Sequence, residues 1–128
     1  MKGKYVGLLL SVVVGMLLTQ ASCGHDRELI SITVLPDGAT IKGAGTEVDF
    51  KAVGTYVHPP EQRDITNSVV WQSAAPQVIS IDANTGVATA GTGCGTNITI
   101  TATAYSNPQN KSGSVVVGTA AITVTCPG

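Results

Sequence analysis

Charged and aromatic side chains are scarce in this 128-residue chain: 12% of positions are charged and 4% are aromatic, with one Trp and one Phe. The basic residues form no stripe, which argues against nucleic acid as a partner. Beyond residue 22 the balance is five basic residues (Arg27, Lys42, Lys51, Arg63, Lys111) against eight acidic ones, a formal −3. Histidine is limited to His25 and His58, which lie far apart. If Cys94 and Cys126 bond to each other, as argued below, no four-ligand zinc set remains. Asp82 and Asn84 read as turn-stabilising residues rather than calcium ligands. No glycine-rich phosphate loop precedes a helix, and no Ser–His–acid grouping is suggested by position. Cofactor, metal and catalysis are therefore not expected. Long helix-forming runs are also missing after residue 28, whereas Val, Ile, Thr, Ala and Gly abound. That composition predicts an all-β domain with many turns.

The N-terminus is different. Lys2 and Lys4 precede an uncharged apolar run over 5–18 (YVGLLLSVVVGMLL). A positive segment followed by an apolar one is the pattern of a secretory signal. The run falls short of the roughly 20 residues that span a bilayer. Small residues follow, and Ala21-Ser22-Cys23 is similar to a bacterial lipobox, in which the Cys is diacylated and becomes the mature N-terminus. Gln20 stands where such sequences usually carry leucine. Two outcomes stay open: lipidation of Cys23, or ordinary cleavage after Ala21 with Cys23 left as a thiol. The expected organisation is a signal peptide over 1–22, a tether over 23–28 and one domain over 29–127. The lipobox likeness implies an exported protein held to a membrane through Cys23, at the outer membrane or cell surface. Without the lipid it would be periplasmic or secreted.

Period-two alternation recurs along the mature chain and predicts strands over 29–35, 46–56, 68–73, 78–81, 87–90, 97–105 and 114–125, with a short extra segment at 39–42. It places Ile30, Ile32 and Val34 on one face of the first strand, and Val48, Phe50 and Ala52 inward on the second. Pro36-Asp37-Gly38 and Asn84-Thr85-Gly86 read as turns.

The last two strands permit a register test. Asn107 to Gly113 (NPQNKSG) is the evident turn, centred near Asn110. Antiparallel partners in a hairpin lie symmetrically about its turn. Position 110 is also the midpoint of Cys94 and Cys126. The same symmetry pairs Ile98 with Ile122, Ile100 with Ala120, Ala102 with Gly118 and Ala104 with Val116, all small or apolar. The two cysteines are thus predicted to face each other at the open end of the hairpin, within disulfide reach. An exported domain sits in a compartment that permits the bond.

The segment over 70–103, VWQSAAPQVISIDANTGVATAGTGCGTNITITAT, resembles the bacterial immunoglobulin-like domain, group 2, the module repeated in intimin- and invasin-like surface proteins. Trp71 with Ser73 resembles its tryptophan strand, and Pro76, Val78 and Ile81 the strand after it. The segment from Gly86 to Ala90, and Gly95, Thr96, Ile98, Thr99, Ala102 and Thr103, resemble two more. Upstream, Gly54-Thr55-Tyr56 and Asp64-Ile65-Thr66 match the lead-in. The likeness covers roughly residues 29–125. It implies an immunoglobulin-like β-sandwich of about seven strands. Departures are the Cys94/Cys126 pair, the segment 58–63, and the presence of one copy where relatives occur in tandem.

Sandwiches of this class gather alternate loops at one end. Here those loops are expected to bring Tyr56, His58 and Arg63, with Pro59 and Pro60, towards Tyr105, Asn107 and Lys111. Rings beside amide and basic groups suit a sugar or a peptide. An ordinary solvated loop end is the competing interpretation. The expected function is a non-enzymatic envelope lipoprotein acting as a structural or protein-interaction module. The alternative is a carbohydrate-binding or adhesive module. Expected partners are the membrane, through Cys23, and an envelope protein or cell-surface polysaccharide.

Overall fold

The computed structural model describes residues 27–126. The signal sequence and Cys23 lie outside the described residues. Among those described there are ten strands and no helix: β1 (Glu28–Leu35), β2 (Ala39–Lys42), β3 (Glu47–Asp49), β4 (Lys51–Val57), β5 (Glu61–Asp64), β6 (Val70–Ser73), β7 (Ile79–Ile81), β8 (Val87–Ala90), β9 (Gly95–Asn107) and β10 (Ser112–Thr125).

The strands form a β-sandwich. In one layer β1 pairs antiparallel with β4 and β4 with β5, while β3 pairs with β8, which also pairs with β7. Strands β3 and β4 are one run interrupted at Phe50, whose amide donates to the Gly86 carbonyl (3.0 Å). The other layer has the order β2-β10-β9-β6. The chain passes from the first layer to the second at Pro36-Asp37-Gly38. There Gly38 takes φ 84° and its amide donates to the Ala121 carbonyl (2.8 Å). The Ala121 amide donates to Asp37 Oδ1 (2.9 Å). Strand β2 then runs parallel to the end of β10.

Apolar alternation accounts for the core. Phe50, Ala52, Trp71, Ile79, Ala88, Ile100, Ala102 and Ile122 are all buried between the layers, and no polar or charged residue is fully buried among those described. Phe50 and Trp71 pack with ring centroids 6.3 Å apart. The Trp71 indole N–H donates to the Thr66 carbonyl (2.9 Å), so its one polar atom is satisfied inside the core.

The hairpin register holds. Ile98 pairs with Ile122, Ile100 with Ala120, Ala102 with Gly118 and Ala104 with Val116. Gly118 is required by close packing: a Cβ there would meet Ile32 of β1, with Ile32 Cβ and Cγ2 at 2.8 Å. Cys94 and Cys126 form a disulfide with a Cα–Cα distance of 4.8 Å. A one-residue shift between Ile122 and Val124 sets Gly95 opposite Val124. The cysteines are therefore joined just past an irregularity, not as the next pair of the ladder.

Two expectations need correction. Ile30 is 51% exposed, whereas Leu29 is 1% exposed, because the β1–β4 pairing shifts between Leu29 and Ser31. That shift reverses the facing of residues before it and leaves Ile32 and Val34 inward. Residues 61–64 are also not a loop. They pair as β5 with β4, Tyr56 opposite Glu61 and Val53 opposite Asp64.

Candidate functional site

The end of the sandwich where β1 begins also carries the β4–β5 turn and the β9–β10 turn. Glu28 pairs with Val57, and Arg27 Nε lies 3.2 Å from Glu61 Oε2. Arg63 Nε donates to Glu61 Oε1 (3.0 Å). Glu61 thus sits between two guanidinium groups, a solvent-accessible cluster of modest energetic weight. The disulfide is at the opposite end, where both cysteines are exposed.

The residues expected to form one loop end are divided between the layers. Tyr56 is 7% exposed and belongs to the core. It lies on the same face of the run as Phe50, Ala52 and Gly54, two residues apart each time. Burial raises its phenol pKa, against the opposing pull of Arg63 and Arg27. It offers no ring to a ligand, which corrects the expected contact. His58 is exposed at the β4–β5 turn with φ 64°, beside exposed Pro59 and Pro60. Arg63 is held to Glu61 on β5. None of Tyr56, His58 and Arg63 lines the groove that holds Tyr105.

Tyr105 and Lys111 instead line a groove of about 500 Å³ on the outer face of the second layer. Pairing explains its floor. Val70 of β6 lies beside Thr103 of β9, and Tyr105, two residues further along β9, lies beside Val115 of β10. Pro108 and Lys111 of the β9–β10 turn close one end, and Lys111 adopts φ 50°. Asn67, from the connection before β6, and Asn84, from the turn before β8, line the side. The Ala83 carbonyl accepts from the Trp71 amide (3.1 Å), which holds that turn against β6. Gln72 extends the groove along β6. Asn107 is half-buried at the end of β9, where its Oδ1 has no hydrogen-bond partner.

Tyr105 is 44% exposed, while Phe50, Trp71 and Tyr56 are buried. No acidic residue lines the groove, and Lys111 is its one cation. Asn67, Gln72 and Asn84 were not expected in a site. Inward facing of Trp71 already implies that Val70 and Gln72 face outward, a signal open to period-two reading. The approach of Asn67 and Asn84 is set by tertiary structure.

Asp82 and Asn84 make a turn, as expected. Asp82 Oδ1 accepts from the amides of Asn84 (2.8 Å) and Thr85 (3.0 Å), and these bonds lower its pKa. Among the described residues no group of three or more His, Cys, Asp or Glu side chains gathers to hold a metal ion. No helix among them is long and apolar enough to cross a membrane. No protein-family model matches the chain, and no curated protein is found to resemble it.

Proposed function

We propose that this chain is a non-enzymatic cell-envelope lipoprotein whose β-sandwich domain, similar to the group 2 bacterial immunoglobulin-like module, serves as a structural or protein-interaction unit at the cell surface. The observation that supports this reading best is the polarity of the sandwich relative to its leader. Strand β1 starts at the end that carries the β4–β5 and β9–β10 turns, and the disulfide staples the other end. Four residues, 24–27, separate Cys23 from Glu28 at the start of β1, and the five steps from Cys23 to Glu28 reach at most about 18 Å when extended. A lipid on Cys23 would hold the turn end close to the bilayer and direct the disulfide end outward. Mass spectrometry of the mature N-terminus tests the anchor. Diacylated Cys23 is expected, with release of a Cys23→Ala variant from the membrane fraction. An unacylated terminus beginning at Ser22 would refute it.

A second reading, a carbohydrate-binding or adhesive module, is favoured by one observation. The exposed ring of Tyr105 lies in a groove among amide side chains. The groove extends from the β9–β10 turn along a sheet face to Gln72, away from the anchored end. A glycan array probed with the purified chain tests this reading, and an absence of binding to any glycan would sink it.

A further inference from the structure

We propose that the Tyr105 groove binds an acidic polysaccharide, with one sugar ring stacked on Tyr105 and a carboxylate of the polymer held at Lys111. The inference rests on the carbohydrate reading above and adds the class of glycan and the place where it sits.

The groove departs from what strand propensity alone produces. Outward Val and Tyr residues suit any strand, but here the accessible aromatic ring is bordered by Asn67, Gln72 and Asn84, all exposed. Among the described residues, none of these three side-chain amides makes a hydrogen bond to another side chain or to the backbone. Each amide offers two donors and an acceptor. Sugar hydroxyls need that mixture, with donor and acceptor close together. The apolar C–H face of a pyranose needs a flat apolar surface, which the Tyr105 ring supplies between Val70 and Val115. At about 500 Å³ the groove is within the usual range for a small-molecule site, and it is open along the sheet, as a polymer requires.

Charge selects among glycans. Lys111 lies in the turn that closes the groove, no Asp or Glu lines it, and Asp82 beside Asn84 accepts from the amides of its own turn. The chain beyond residue 22 is formally −3, so a groove with one cation and no carboxylate is a local reversal of the domain's sign. An acidic sugar gains an ion pair at Lys111 and meets no opposed carboxylate in the groove. A polycationic ligand finds no counter-charge there.

The test is isothermal titration of the purified chain with a uronic-acid hexasaccharide and, separately, a neutral glucose hexasaccharide. The uronate is expected to bind at least about tenfold more tightly, a preference that weakens as salt is raised. Tyr105→Ala is expected to weaken uronate binding about tenfold or more, and Tyr105→Phe to retain it. Lys111→Gln is expected to abolish the preference for the uronate over the neutral sugar. Tyr105 and Lys111 are exposed, and Trp71 emission confirms that each variant is folded. Should Tyr105→Ala fail to fold, Gln72→Ala carries the same expectation in weaker form. Equal or tighter binding of the neutral sugar would overturn the acidic class while leaving the carbohydrate reading intact. Uronate binding unchanged in Tyr105→Ala would overturn the location. Failure of both probes would overturn the proposal, and failure of the whole glycan array would remove the reading beneath it.

Discussion

Removing the disulfide should destabilise the domain by an amount that sequence separation largely determines. The perturbation is Cys94→Ser with Cys126→Ser, which opens a loop of 33 residues, 94 through 126. In the chain-entropy treatment, closing a loop of that length contributes about 3–4 kcal/mol by restricting the denatured chain. Little in the folded state should alter that figure. Both cysteines are exposed, so serine leaves neither a core cavity nor a buried hydroxyl. The paired positions from Ile98–Ile122 to Ala104–Val116 lie beyond the bond and keep their own contacts. For a domain of this size each kcal/mol corresponds to about 4–5 °C, so Tm should fall by about 12–20 °C.

Trp71 gives a direct assay, because it is the one tryptophan and is 1% exposed in the fold. Urea unfolding followed by its emission yields both the free energy and the slope m. If the bond acts on the denatured state, the variant's unfolded chain is more expanded and m should rise as the midpoint falls. A loss below about 1 kcal/mol with m unchanged would refute the reasoning. It would mean that the ends of the β9–β10 hairpin already stay together in the denatured chain.

Gly118→Ala should cost about 1–3 kcal/mol or more, because the added methyl meets the backbone and side chain of Ile32 where β1 crosses β10; a urea midpoint equal to wild type would contradict this packing. Trp71→Phe should cost about 1–3 kcal/mol through the orphaned Thr66 carbonyl, in addition to the cavity left by the smaller ring; thermal unfolding by far-UV circular dichroism checks it. Asp64→Asn concerns pH. The hydroxyl and amide of Thr66 both donate to Asp64 and hold its pKa below the ordinary carboxylate value. Because the folded value is depressed, the stabilisation is complete above about pH 4 and fades as pH falls through the folded pKa. The gap in urea midpoint between wild type and variant should therefore be small at neutral pH, since the carboxylate is exposed, and should close on acidification. A gap that widened towards low pH would contradict the assignment.

Much of the fold is legible where side-chain parity and turn chemistry suffice. The β9–β10 register follows from one turn and a symmetric set of small and apolar residues, and the folded hairpin has those pairs from Ile98–Ile122 to Ala104–Val116. The bulge in β1 is not legible in the same way. Leu29 and Ile30 are equally apolar, and which one turns inward depends on a shift in pairing with β4. Strand β5 leaves no trace in its sequence, Glu61-Gln62-Arg63-Asp64, which has no apolar alternation at all. It is a strand because β8 covers only the β3 part of the long β3–β4 run, and the backbone beyond it remains open to pairing. That cause lies in the backbone and acts between segments distant in sequence.

The candidate site divides along the same line. Tyr56 follows from parity along the strand expected over 46–56: Val48, Phe50, Ala52, Gly54 and Tyr56 share a face, so the ring must enter the core. Tyr105 and Lys111 follow from the turn that sets the hairpin. Their neighbours do not, because parity specifies a face and leaves the layer open. Pairing of β5 with β4 keeps His58 and Arg63 in the first layer, where Arg63 is tied to Glu61. The chain then returns through Ile65, whose amide donates to the Ala52 carbonyl (2.8 Å), before it crosses to β6. That crossing is what sets Asn67, rather than His58, beside Tyr105. A sequence with the same alternation but no β5 would leave 58–63 free to approach the β9–β10 turn. The hairpin that hides itself in a polar tetrapeptide therefore decides which residues border the exposed ring. Disrupting β5 with Gln62→Pro should alter ligand contacts at Tyr105 without touching the groove directly, and uronate titration of that variant, set against its Trp71 emission, would separate the two effects.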